Sequence, residues 1–221
     1  LDILYSRGAR NFKFVDRTFN LKIEKFFFYR QSYYEDGSLY YGNNITDGLH
    51  GISYHTKRKK GLLKIVLEYF NSTSQGGTTF GYTNNIRGFD NYQNNGVYRE
   101  GWTYLGKGMG TPLMTLDNET DLNASKDVYF DNNRVETFYV GAEAMIGENR
   151  LVFRGSLTNS MGNFGSVYIP VKKQIAVGLQ WQRQIFVFGQ DAFLSANIGA
   201  DMGSWKKDLV GGNFTLSVPI Q

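Results

Sequence analysis

From about residue 137 to the C-terminus, apolar and polar residues alternate with period two. That spacing sends successive side chains to opposite faces of a strand. Between Lys173 and Ile185, Ile175, Val177, Leu179 and Trp181 share one face, and Gln174, Ala176, Gly178, Gln180, Gln182 and Gln184 share the other. The next run sets Ala192, Leu194, Ala196, Ile198 and Ala200 against Phe193, Ser195, Asn197, Gly199 and Asp201. The last sets Phe214, Leu216, Val218 and Ile220 against Asn213, Thr215, Ser217 and Pro219. Earlier, Phe138, Val140, Ala142, Ala144 and Ile146 oppose Thr137, Tyr139, Gly141 and Glu143, while Leu151, Phe153 and Leu157 oppose Arg154, Ser156 and Thr158. Ile65, Leu67 and Tyr69 likewise oppose Lys64 and Glu68. Two further strands are predicted at about 18–34 and 48–57. Phe26, Phe27 and Phe28 blur the phase of the first, as a bulge would. The pattern predicts an all-β chain of about eight strands.

The connections divide by length. "KRKKG", "GEN" and a turn near Gly189 are short, whereas 36–48, 72–131 and 159–171 are long; "GSWKKD" is the one short link on the long side. Short turns at one end and long loops at the other mark outer-membrane barrels, and eight strands leave the last one running to the short-turn, periplasmic end. The apolar faces carry almost no charge, as a lipid-facing band requires. The opposite faces hold Lys64, Glu68, Glu143, Arg154 and Asp201, which suits a wet lumen with ion pairs among the first four. The expected fold is therefore an antiparallel transmembrane β-barrel of the outer membrane. This chain, 1–221, supplies about eight strands of a single barrel domain with a long Gly- and aromatic-rich loop at 72–131. A soluble sandwich or jelly roll has the same alternation and stays open as an alternative.

Composition adds exclusions. The 221 residues suffice for one all-β domain or two small ones. No run approaches the length of a transmembrane helix, a limit that does not apply to barrel strands. With no Cys there is neither a disulfide framework nor a thiolate metal site. The net charge of +4 gives a weak preference for anionic partners. The chain begins at Leu1 without Met, so it is expected to be a processed product or a piece of something longer. His50 and His55 point to opposite faces of one strand and cannot share a metal. "GKGMG" at 106–110 lacks the last glycine of a dinucleotide fingerprint. The stretch 117–128 imitates a calcium loop but has Leu122 where Gly is needed and Val128 where a bidentate Glu belongs. No nucleophile–base or paired-carboxylate arrangement emerges. No enzyme, cofactor, metal or nucleic-acid partner is expected.

The segment "NNGVYREGWTYLGKGMGTPL", 94–113, concentrates Gly96, Gly101, Gly106, Gly108 and Gly110 with Tyr98, Trp102 and Tyr104, interleaved with Arg99, Glu100 and Lys107. Here the sequence resembles the central signature of the Wzi-type outer-membrane capsule assembly proteins, a Tyr-Arg-x-Gly-aromatic-x-Tyr run followed by a basic residue and a Gly-rich stretch. The matching positions are Tyr98, Arg99, Gly101, Trp102, Tyr104, Gly106, Lys107, Gly108 and Gly110. Upstream, Glu68, Tyr69, Asn71 and Thr73 resemble the family's strand end. Downstream, Asn133, Arg134, Gly141 and the loop from Asn159 to Gly165 resemble its next hairpin.

The resemblance runs from about residue 24 to the C-terminus. It implies a plugged outer-membrane barrel of a Gram-negative bacterium, of which this chain is the C-terminal half. The implied role is lectin-like, holding capsular polysaccharide or exopolysaccharide at the cell surface among outer-membrane lipid and other capsule export proteins. The residues expected to touch polysaccharide are Tyr98, Arg99, Trp102, Tyr104 and Lys107. Glycines permit a compact loop, aromatic faces suit sugar rings, and charged groups bond hydroxyls or uronic acids. The same aromatics also suit packing within a plug. Two other functions stay open: a diffusion porin constricted by 72–131, and a soluble secreted lectin.

Overall fold

A computed structural model describes residues 12–13, 17–21, 24–32, 40–81, 86–116, 129–187 and 189–218. The calcium-loop imitation at 117–128 lies outside them. Every regular element among the described residues is a strand: β1 (Phe12–Lys13), β2 (Arg17–Leu21), β3 (Glu24–Ser32), β4 (Gly48–Thr56), β5 (Gly61–Asn71), β6 (Phe80–Gly81), β7 (Ile86–Arg87) and β8 (Thr103–Tyr104). There follow β9 (Lys107–Gly108), β10 (Thr115–Leu116), β11 (Phe130–Asn132), β12 (Val135–Ile146), β13 (Asn149–Gly162), β14 (Val167–Val187), β15 (Gln190–Gly203) and β16 (Leu209–Ser217). Ten of them form one antiparallel sheet in the order β1-β3-β4-β5-β12-β13-β14-β15-β16, with β2 also on β3. Its eight long members, β3, β4, β5 and β12 to β16, are the eight strands that the alternation predicts.

The sheet is inside-out by the standard of a water-soluble protein. On one face, Phe138, Leu157 and Ile198 are 54, 55 and 58% exposed; on the other, Thr137, Thr158 and Gln174 are only 3, 7 and 8% exposed. Phe28, Ile52, Leu67, Phe153, Ile175, Leu179, Phe214 and Leu216 extend the exposed apolar face from β3 to β16. Among the described residues no second layer covers it, unlike a sandwich, whose apolar faces meet each other. The core lies on the polar side instead. Leu49 and Phe70, which point to that side near the long-loop end, pack with Val135 against Tyr92, Met114, Leu116 and Phe130 of the long connection.

Three expectations need correction. The first predicted strand, 18–34, is two strands: β2 folds back on β3 with Leu21 opposite Glu24, and β1 adds to the same side. The Phe26–Phe28 run contains no bulge, since β3 pairs with β4 in unbroken register from Glu24 to Gln31. Phe27 faces the polar side, where its ring stacks on Tyr29 at 5.3 Å. Second, the connection at 159–171 contracts to 163–166, because β13 and β14 run on beyond the apolar band. Third, the strand ahead of β3 changes the count. β2 and β16 both run toward the short-turn end, so direct pairing of the two edges would be parallel, and antiparallel closure takes an odd number of further strands. Among the described residues no ladder joins the edges.

Candidate functional site

The predicted contact segment is an arm built on the long connection. The Asn95 side chain accepts from the backbone N–H groups of Val97 and Tyr98, at 2.8 and 2.9 Å, an Asx turn that starts the arm. Gly101 sits at φ +51°, and a Cβ there would lie 2.3 Å from the Gln93 carbonyl. This close approach lets Trp102 N–H donate to that same carbonyl at 2.9 Å. β8 and β9 then form a two-residue hairpin in which Leu105 (φ 50°) and Gly106 (φ 72°) both take positive φ, as a primed turn demands. Gly108 closes the arm against the core, with the Phe130 ring 3.3 Å from where its Cβ would be.

This anchoring decides which side chains are presented. Thr103 turns inward and its hydroxyl donates to the Glu100 carbonyl at 2.8 Å. Tyr98 and Tyr104 are 76 and 67% exposed and Trp102 36%. Arg99 and Lys107 are exposed beside them. All five predicted contact residues thus lie on the outer surface of one arm, three of them aromatic and two cationic. Large flat apolar rings held in water by a fixed backbone can stack on apolar ring faces.

Beneath the arm lies a buried polar clamp that the sequence reading did not identify. Asp47, wholly buried at the entry to β4, accepts from the backbone N–H groups of Ser74 and Gln75 at 3.0 and 2.7 Å and from Asn71 Nδ2 at 3.2 Å. The Tyr92 hydroxyl donates to it at 2.8 Å and accepts from Asn44 Nδ2 at 2.9 Å. Burial pushes the Asp47 carboxyl above its ordinary range, against the opposing pull of these donors and of Arg134. Burial and the Asp47 charge together push the Tyr92 hydroxyl upward. Gln75 Nε2 donates to Asn133, and Asn133 Nδ2 to the Tyr92 carbonyl at 2.9 Å. Arg134 Nε donates to the Thr73 carbonyl at 3.0 Å, with its guanidinium 4.3 Å above the Phe164 ring. The residues that carry the family resemblance upstream, Asn71 and Thr73, therefore meet those that carry it downstream, Asn133, Arg134 and the 159–165 loop. The only sequence signals for the clamp were an Asp before Gly at a strand start and the paired Asn at 43–44 and 94–95.

On the polar face, Lys64, Glu68, Glu143 and Arg154 stand on neighbouring strands. Lys64 is the register partner of Glu143. Glu143 takes its ion pair from Arg150 at 2.8 Å, a cation outside the predicted set, and Arg150 also donates to Gln182 at 3.2 Å. Arg154 donates to Gln180 at 3.4 Å, and Glu68 accepts from the Tyr29 hydroxyl. His50 and His55 lie on opposite faces, beside Tyr69 and Lys64 respectively. No group of three metal-ligating side chains occurs among the described residues. No protein-family model, curated protein or solved structure matches this chain.

Proposed function

We propose that this chain is part of the wall of an outer-membrane β-barrel that binds and anchors capsular polysaccharide or exopolysaccharide at the cell surface. The observation that carries the reading is the pairing of an inside-out sheet with an exposed aromatic arm on the long connection. An apolar face left bare from β3 to β16 is unfavourable in water at roughly 25 cal/mol per Å² and matches the outer band of a transmembrane barrel. β13, β14 and β15, with 14, 21 and 14 residues, exceed the roughly 9–11 residues needed to cross the hydrocarbon and would carry the long-loop end clear of it.

Function then rests on the arm. Tyr98, Trp102 and Tyr104 offer sugar-stacking faces, and Arg99 and Lys107 offer donors to hydroxyls or uronic carboxylates. The long connection packs over the polar face through Leu113, Met114 and Leu116, which favours a filled lumen over a diffusion porin. Planar-bilayer recordings should accordingly stay silent.

Capsule retention tests the reading. Truncating one aromatic in a site of few contacts removes roughly 1–3 kcal/mol, about tenfold or more in affinity. Trp102→Ala and Arg99→Ala should lower retention by intact cells while barrel mobility on heat-modifiability gels stays unchanged. Unaltered retention in both and in the double variant would overturn the assignment of the arm.

A further inference from the structure

The apolar face is not uniformly filled. A hollow of about 820 Å³ opens on it between β3 and β14, walled by Phe28, Ile52, Leu67, Phe138, Phe153 and Leu157. Its volume lies within the roughly 300–1,000 Å³ of pockets that bury a small ligand. The register row Phe28–Ile52–Leu67–Val140–Gly155–Val177 crosses the hollow, and the Phe153 ring lies over Gly155 within it.

One end of the hollow is charged. Arg30 and His50, cross-strand partners, stand at its rim toward the long-loop end. The Arg30 guanidinium donates through one terminal nitrogen to the Ile45 carbonyl, and its buried Nε has no acceptor among the described residues. Glu68, the carboxylate among the residues lining the hollow, accepts from the Tyr29 hydroxyl. An apolar trough ending at an arginine complements the shape and charge of an anionic amphiphile.

We infer that this hollow binds one membrane phospholipid, its acyl chain between Phe138, Phe153 and Leu157 and its phosphate on Arg30 and His50. The inference rests on the membrane reading given above and adds a lipid site distinct from the arm. A phosphate at this rim pairs with the partly exposed Arg30 guanidinium, and the chain removes the apolar walls from contact with any other solvent.

Native mass spectrometry of the detergent-solubilised protein tests it. The probes are dipalmitoyl phosphatidylglycerol, dipalmitoylglycerol with the same chains and no phosphate, and glycerol phosphate with no chains. The protein should retain phosphatidylglycerol about fivefold better than dipalmitoylglycerol, the worth of one cation at a lipid headgroup, and should not retain glycerol phosphate. Arg30→Gln should erase that preference, Arg30→Lys should keep it, and Leu157→Trp, which fills the trough from an exposed position, should abolish retention of both lipids. Equal retention of the two lipids by the wild type, or undiminished retention by Leu157→Trp, would overturn the site. Protease protection in phosphatidylcholine vesicles separates the two levels. A chain that fails to insert removes the membrane reading itself, whereas insertion with equal retention removes the lipid site alone.

Discussion

Tyr29 and Glu68 stand two strands apart, and the Tyr29 hydroxyl reaches Glu68 by lying across β4 at Gly51. Tyr29, Gly51 and Glu68 form one register row, and a Cβ on Gly51 would lie 2.0 Å from the Tyr29 ring. The glycine is thus what lets a polar bond span three strands on the polar face. On β12 the Tyr139 ring also lies over a glycine, Gly141, two residues along its own strand. Gly51→Val should displace Tyr29, break the bond to Glu68 and destabilise the protein by about 1–3 kcal/mol, the usual cost of overpacking. Urea titration of folding into lipid measures it, and a Tyr29→Phe variant isolates the bond from the crowding.

Acid should relieve the burial cost of the Asp47 carboxylate. Asp47 has a carboxyl raised above 3.8 by burial, so it holds its proton more readily folded than unfolded. The sign follows by linkage: its contribution is fully present below 3.8 and is lost as the pH rises through the raised folded value. The urea midpoint of the folded protein should therefore rise as the pH falls through that window. Asp47→Asn should remove the dependence. A midpoint that falls on acidification in the wild type and not in Asp47→Asn would reverse the sign.

Leu179 and Ile198 are direct register partners on the apolar face. Arg at either position should cost roughly 2–4 kcal/mol if the row lies at the bilayer midplane. Normal insertion of both variants into vesicles would leave no lipid contact for this face.

The long strands were legible because their two faces differ chemically. Gln174 to Gln184 against Ile175 to Ile185 leaves one register open, since a slip by one residue would reverse every side chain. The signal fades where the contrast ends. At 159–162 and 167–173 both faces carry polar or mixed residues, so the alternation vanishes while the backbone ladder continues to Gly162 and from Val167. The β2–β3 hairpin was hidden for a related reason, because Phe27 places an aromatic ring on the polar face. The arm was legible by composition. The Asp47 clamp was not, since its partners lie 24 to 45 positions away in sequence and no local pattern encodes such contacts.

Thiol labelling on intact cells most directly tests whether an inside-out sheet carries this arm on the outer surface. The chain is free of Cys, so single cysteines report without background. Leu105→Cys, on the exposed hairpin turn of the arm, should react with a membrane-impermeant maleimide, and added surface polysaccharide should slow that reaction. Glu148→Cys, in the short turn between β12 and β13, should react only after the outer membrane is permeabilised. Labelling of Glu148→Cys but not Leu105→Cys on intact cells would invert the orientation, and labelling of Leu105→Cys at a rate indifferent to polysaccharide would contradict the role given to the arm.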